Sequence, residues 1–151
     1  MGVKNPLPTL GVGSELVGPT RMMTLERVRW FEESGRWAGD ASVKKVHANF
    51  HTDQASAEAQ GLKAPIADGQ LTAQWCSSLL LSYFGWDYIE RGELRTKFIK
   101  PTYLDVPVTV RGVVTTVEKI AEGELYCIDI WSEDNQGTKL TVGEGRVEVR
   151  R

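Results

Sequence analysis

The sequence predicts an α+β domain in which an antiparallel sheet wraps around one long buried helix. Three observations predict it. The segment DGQLTAQWCSSLLLSYFG, Asp68 to Gly85, is apolar on most of its faces when wound as a helix, and such a helix has to be surrounded by other structure. Beyond Glu90 the apolar period shortens to two, the alternation of strands with one covered face. Those strand segments follow one another through the short turns AEGE and DNQG, which join antiparallel neighbours. A chain of 151 residues suits one domain with one core, so residues 1–151 are expected to form a single unit.

Residues 1–12, rich in Pro and Gly, read as an extended arm. ELVGPTRMMT is a short strand broken at Gly18-Pro19. Thr24 then N-caps a helix with Glu26 in its first turn; Leu25, Val28 and Phe31 recur at helical spacing, and Gly35 ends the run. GRWAGDASVKKVHA, 35–48, has no period and reads as a loop. TDQASAEAQG is a short helix with Thr52 as N-cap, Asp53 in the first turn and Gly61 as C-cap. LKAPIADG is a loop held open by Pro65.

In the central helix Asp68 is the expected cap and Gly85 the expected stop. Leu71, Trp75 and Leu79 form one stripe, which Cys76, Leu80, Tyr83 and Phe84 broaden. The predicted strands are LRTKFIK, stopped by Pro101, then VPVTVRGVVTTVEKI, LYCIDIWSE and TKLTVGEGRVEV.

Composition excludes several function classes. The net charge is −2 and no dense Lys/Arg run occurs, which argues against nucleic acid as a partner. Cys76 and Cys127 sit in apolar settings without a CxxC, so two reduced core thiols are expected and a Cys-based zinc site is not. MGVKNPLPTLGVGSELVG has no long apolar run, so no signal peptide or membrane span is expected, and a cytoplasmic protein is the default.

Both histidines fall in HANFHTD, His47 to Asp53. H-x-x-x-H places two imidazoles on one helical face and suggests a metal pair. With Thr52 as a cap, however, His51 precedes the helix and the spacing is not helical. No further histidine exists to complete three ligands, so no metal is expected. His51 is the acid–base candidate, since histidine titrates near neutral pH. His47 is either its partner or a solvated loop residue.

NFHTDQASAEAQGLKAPIADGQLTAQWCSSLLL, followed by KFIKPTYLDVPVTVRGVV, resembles the MaoC-like, (R)-specific enoyl-CoA hydratase and dehydratase family, whose fold is the hotdog. That family has an Asn-Pro-apolar-His segment with an Asp two residues on, a Pro-Ile-x-x-Gly turn into the central helix, and a later F-x-x-P strand. The matching residues are Asn49, His51, Asp53, Pro65-Ile66, Gly69, Phe98, Pro101 and Tyr103. The resemblance covers about residues 20–150. It departs at one place. The family's catalytic Asp stands five residues before the His, where this chain has Val46, and no Pro follows Asn49. With a one-residue gap after Asn49, the Asp column falls on His47.

The resemblance implies a hydro-lyase that hydrates an enoyl-CoA or dehydrates a 3-hydroxyacyl-CoA, with the acyl thioester as substrate and no cofactor. That reaction needs a group for the α-proton, a group for the water or leaving hydroxyl, and donors for the enolate oxygen. The resemblance assigns the first two roles to the family's Asp/His pair, of which His51 is the acid–base residue here. The carboxylate candidates are Asp40, Asp53 and Asp68, of which Asp53 and Asp68 are also explained by their helix-start positions. Asn49 holds the loop or positions water. Gly69, with Asp68 at the helix start, supplies N–H donors to the oxyanion unless its place there reflects a turn of unusual φ. Trp37 is the aromatic expected to touch substrate. YFGWDYIERGE fits a dimer interface, and a homodimer or higher homo-oligomer with joined sheets is expected. Two other readings remain open: an enzyme of this fold that eliminates, isomerises or cyclises a specialised substrate, and a non-catalytic binding or assembly subunit.

Overall fold

The structure, a computed structural model, describes residues 9–34 and 48–150. In chain order the elements are β1 (Glu15–Val17), α1 (Leu25–Ser34), α2 (Gln54–Ala59), α3 (Gly69–Phe84), α4 (Trp86–Arg91), β2 (Gly92–Phe98), β3 (Val108–Ile120), β4 (Gly123–Asp134) and β5 (Lys139–Arg150). The strands form one antiparallel sheet in the order β1-β3-β4-β5-β2. β3, β4 and β5 make a meander, as the short turns predict. At the second turn Asp134 Oδ1 accepts from the N–H groups of Gln136 and Thr138 at 2.9 and 2.8 Å. Gly137 supplies the positive φ of 77° that closes it.

The predicted central helix is α3. Trp75, Cys76, Leu79, Leu80 and Phe84 are buried against sheet residues including Leu16, Val110, Ile128, Ile130 and Val147. Gly145 on β5 allows the close approach: a Cβ there would lie 2.8 Å from Leu80 Cδ1. Burial of large apolar side chains such as Leu80 and Phe84 stabilises the domain by roughly 1.5–3 kcal/mol each. Asp68 caps α3 and Gly85, at φ 56°, ends it, as their residue types predict. α1 buries Val28 and leaves Trp30 72% exposed. Thr24 caps it, its hydroxyl accepting from Arg27 N–H at 3.3 Å.

Three local assignments differ from expectation. The N-cap of α2 is Asp53, whose carboxylate accepts from Ser56 N–H and Ser56 Oγ, both at 2.8 Å. A carboxylate offers more acceptor sites than a hydroxyl, and the Thr52 hydroxyl donates instead to Asn49 Oδ1 at 3.3 Å. The C-cap is Gln60, and Gly61 follows it at φ 76°. The segment after Gly85, to which the sequence reading gives no secondary structure, is the helix α4, braced by an ion pair between Asp87 and Arg91 one turn apart. No helix of the described residues is long and apolar enough to cross a membrane.

Candidate active site

The site forms where the turn before α2 meets the N-terminus of α3. Asn49 organises the turn. Its Oδ1 accepts from His51 N–H at 2.8 Å, and its carbonyl accepts from Thr52 and Asp53 N–H at 3.0 and 2.9 Å. This is the local bonding that makes Asn a turn residue. Ile66 N–H donates to Phe50 O at 3.3 Å, and Ile66 bridges to Tyr103, tying the loop before α3 to both sides.

The His51 ring is turned inward. Nδ1 lies 3.0 Å from Ile66 O. A carbonyl only accepts, so Nδ1 carries the proton, and in the neutral ring Nε2 keeps the free lone pair. The Phe50 ring packs against it at 4.1 Å between centroids. The side chain is 15% exposed, and Nε2 faces Asp68 Oδ2 at 3.8 Å. That is too long for a hydrogen bond.

Asp68 has two tasks. Oδ1 caps α3, accepting from Gln70 N–H at 2.7 Å, and Oδ2 faces His51. Leu71 and Thr72 N–H both reach Asp68 O, at 3.1 and 3.3 Å. Of the first-turn donors of α3, Gly69 N–H therefore remains without an acceptor among the described residues. It sits at the positive end of the helix dipole, where an oxyanion would be received. Gly69 does not adopt a positive φ, so an unusual turn conformation is not its reason. The constraint is Phe98 of β2: a Cβ on Gly69 would lie 2.8 and 2.9 Å from Phe98 Cε2 and Cζ.

A third ionisable group completes the cluster. Glu32, half-buried in the last turn of α1, accepts from Asn49 Nδ2 at 2.8 Å. Glu32, His51 and Asp68 each offer a ligand atom, and the three atoms lie within 4.8 Å of one another. A divalent cation is one species such a donor set can hold. Glu32 was not among the residues singled out from the sequence. The signal was present: Glu32 stands four residues after Val28, on the covered stripe of α1, where an apolar residue belongs.

Of the other candidates, Asn49, Asp68 and Gly69 are brought to His51. Asp53 is not: it caps α2, and the bonds from Ser56 N–H and hydroxyl hold its carboxyl below the usual range. His47, Asp40 and Trp37 lie outside the described residues. Between α1 and α3 lies a cleft of about 490 Å³, with Met23, Trp30, Leu71 and Trp75 as apolar walls and Glu26, Arg27 and Gln74 as polar ones. Leu71 stands one turn into α3 from Asp68.

By sequence, no protein family and no curated protein matches the chain. Solved structures do match in shape. The (R)-hydratase from A. caviae involved in PHA biosynthesis is 20% identical with a TM-score of 0.70, over 94% of this chain and 98% of that one. A MaoC-like dehydratase from Rhodospirillum rubrum is 16% identical with a TM-score of 0.72, over 94% of each chain. A 3R-hydroxyacyl-ACP dehydratase complex from Mycobacterium tuberculosis contains a chain 16% identical, with a TM-score of 0.67, over 95% of this chain and all of that one. At these identities the likeness establishes the fold: the sheet wrapped on α3 is a hotdog.

Proposed function

We propose that the protein is a hydro-lyase for an acyl thioester, hydrating an enoyl thioester or dehydrating a 3-hydroxyacyl thioester, with His51 as the residue that moves the α-proton. The observation that carries this reading is the pairing of His51 Nε2, its lone pair set by the Nδ1 bond to Ile66 O, with the start of α3, where Gly69 N–H has no acceptor among the described residues. An α-proton is acidic only if the enolate oxygen is stabilised as it forms, and a base beside a helix N-terminus meets both needs. The dehydratases and hydratases among the fold neighbours support the same reading. The reaction is redox-neutral and calls for no cofactor.

The apolar walls of the α1–α3 cleft suit the acyl chain, which would run from the start of α3 past Leu71 toward Trp75. β2 is an edge strand whose end carries Phe98 and Ile99, 51% and 45% exposed. Its pairing with a second copy, or with a related hotdog chain, would cover that edge; the 3R-hydroxyacyl-ACP dehydratase among the fold neighbours is itself a complex. A CoA or carrier-protein thioester belongs to the cytoplasm, and that is where this reading places the protein.

The test follows the enoyl-thioester absorbance with crotonyl-CoA and longer chains, for the wild type and His51→Ala. Turnover that disappears in the variant is expected. Turnover indifferent to His51→Ala refutes the role given to this residue, and absence of turnover on every ester refutes the substrate class.

A further inference from the structure

Reversible dehydration needs two proton-carrying groups on one substrate, and His51 supplies one. We infer that Glu32 is the other, a catalytic carboxylate delivered by α1. This rests on the hydro-lyase reading and adds to it the group that handles the water. Three observations carry it. The Glu32, His51 and Asp68 atoms lie within 4.8 Å of one another, and two atoms at that spacing can both bond a single oxygen at about 2.8 Å. One water or hydroxyl can therefore touch Glu32 and His51 together. Next, Asn49 sets the spacing: its Nδ2 holds Glu32 Oε2 while its Oδ1 holds His51 N–H, both at 2.8 Å. A single side chain thus fixes both partners, the kind of support that keeps a reacting pair in register. Finally, Asp68 is already engaged. Its Oδ1 receives the cap bond of α3, and a proton carried there would weaken the cap.

In the dehydration direction His51 Nε2 takes the proton from the α-carbon. The electron pair of that C–H bond moves toward the thioester carbonyl, and the enolate oxygen is received at Gly69 N–H. The pair returns to form the α,β double bond as the β-carbon–oxygen bond breaks. The departing hydroxyl takes the proton held by Glu32 and leaves as water. His51 then passes its proton to Glu32, restoring the one proton that the two share. Hydration is the same path reversed: Glu32 takes a proton from water as its oxygen bonds the β-carbon, and His51 protonates the α-carbon.

The test uses the full-length protein with the enoyl thioester that the wild type turns over best. Glu32→Gln keeps an acceptor for Asn49 and removes the proton carrier. The expected result is a fall in kcat of about a hundredfold or more, with KM within about threefold and a melting temperature at or above the wild type's. Glu32→Ala, equally impaired, should regain at least about tenfold in added formate, a small carboxylate able to enter the space left. Retention of kcat in Glu32→Gln to within about fivefold overturns the inference while leaving the His51 result standing. So does a loss that follows a lowered melting temperature and is untouched by formate. A wild type silent on every thioester overturns the underlying reading, and this inference with it.

Discussion

Gly69→Ala tests whether the glycine at the head of α3 is there for Phe98. The added Cβ would lie 2.8, 2.9 and 3.3 Å from three atoms of the Phe98 ring, and ordinary carbon contacts begin near 3.5 Å, so the ring must retreat by about 0.7 Å. Overpacking of this kind costs about 1–3 kcal/mol. Phe98 is half exposed at the end of β2, free on one side to move, which puts the cost at the lower end. Against it stands the gain from replacing Gly by Ala in a helix, up to about 1 kcal/mol in an interior position and less in the first turn. The single variant should therefore lose about 1 kcal/mol. In a Phe98→Ala background the clash is gone and the same change should be neutral or slightly stabilising. Urea unfolding of the four proteins, at one protomer concentration, closes the cycle. The expected coupling is about 1–2 kcal/mol, and a coupling below about 0.5 kcal/mol, the scatter of independent sites, refutes the contact.

Other outcomes follow from the same geometry. Asn49→Ala removes the bonds to Glu32, His51 N–H and the Thr52 hydroxyl; at about 1 kcal/mol for each net bond it should lower stability by about 1–3 kcal/mol in urea and turnover more than tenfold, and an active, stable variant refutes the bracing role. Asp68→Asn keeps an N-cap acceptor and discards the charge facing His51; the favourable charge at the start of α3 is lost as the repulsion from Glu32 is relieved, so stability should move by less than about 0.5 kcal/mol while turnover falls. Equal damage to both properties would mean that the carboxylate matters only as a cap. Burial pushes the Cys76 thiol up to about 11, which leaves about a thousandth as thiolate at pH 8. Mass spectrometry after brief iodoacetamide treatment should find Cys76 unlabelled in native protein and labelled in urea, and native labelling at that position would contradict its packing.

The fold was legible because its signals are local. The all-round apolar helix from Gly69 to Phe84 and the period-two segments of β3, β4 and β5 each announce their own burial. Asp68 and Gly85 punctuate α3 as their chemistry dictates. Half of the candidate site was legible for the same reason: His51, Asn49 and Gly69 lie in or beside turns whose residue types are unusual. Glu32 escaped because its partners are distant in sequence. A glutamate in a helix is ordinary, and only its place on the Val28 stripe marks it as turned inward. The Thr52 cap was misassigned by one residue because Thr and Asp are both good caps, and the choice was settled by Asn49 accepting the Thr52 hydroxyl.

The cluster also bears on the choice between an enzyme and a subunit that merely keeps the fold. Glu32 and Asp68 bring two carboxylates within 4.8 Å of each other, an arrangement that opposes folding when both are charged. At an effective dielectric near 20 the repulsion is about 3 kcal/mol, reduced to about 1 kcal/mol or less by the solvent that reaches these half-exposed groups. That repulsion favours no packing arrangement, whereas under the proposed mechanism Glu32 carries the proton that the departing hydroxyl takes. Glu32→Gln keeps the Asn49 bond and removes the repulsion, so it should be more stable than the wild type by about 0.5–1 kcal/mol in urea while losing turnover, a trade characteristic of active sites. Destabilisation by more than about 1 kcal/mol would show instead that the Glu32 charge helps hold α1 to the turn before α2, and the non-catalytic reading would gain what the catalytic one lost.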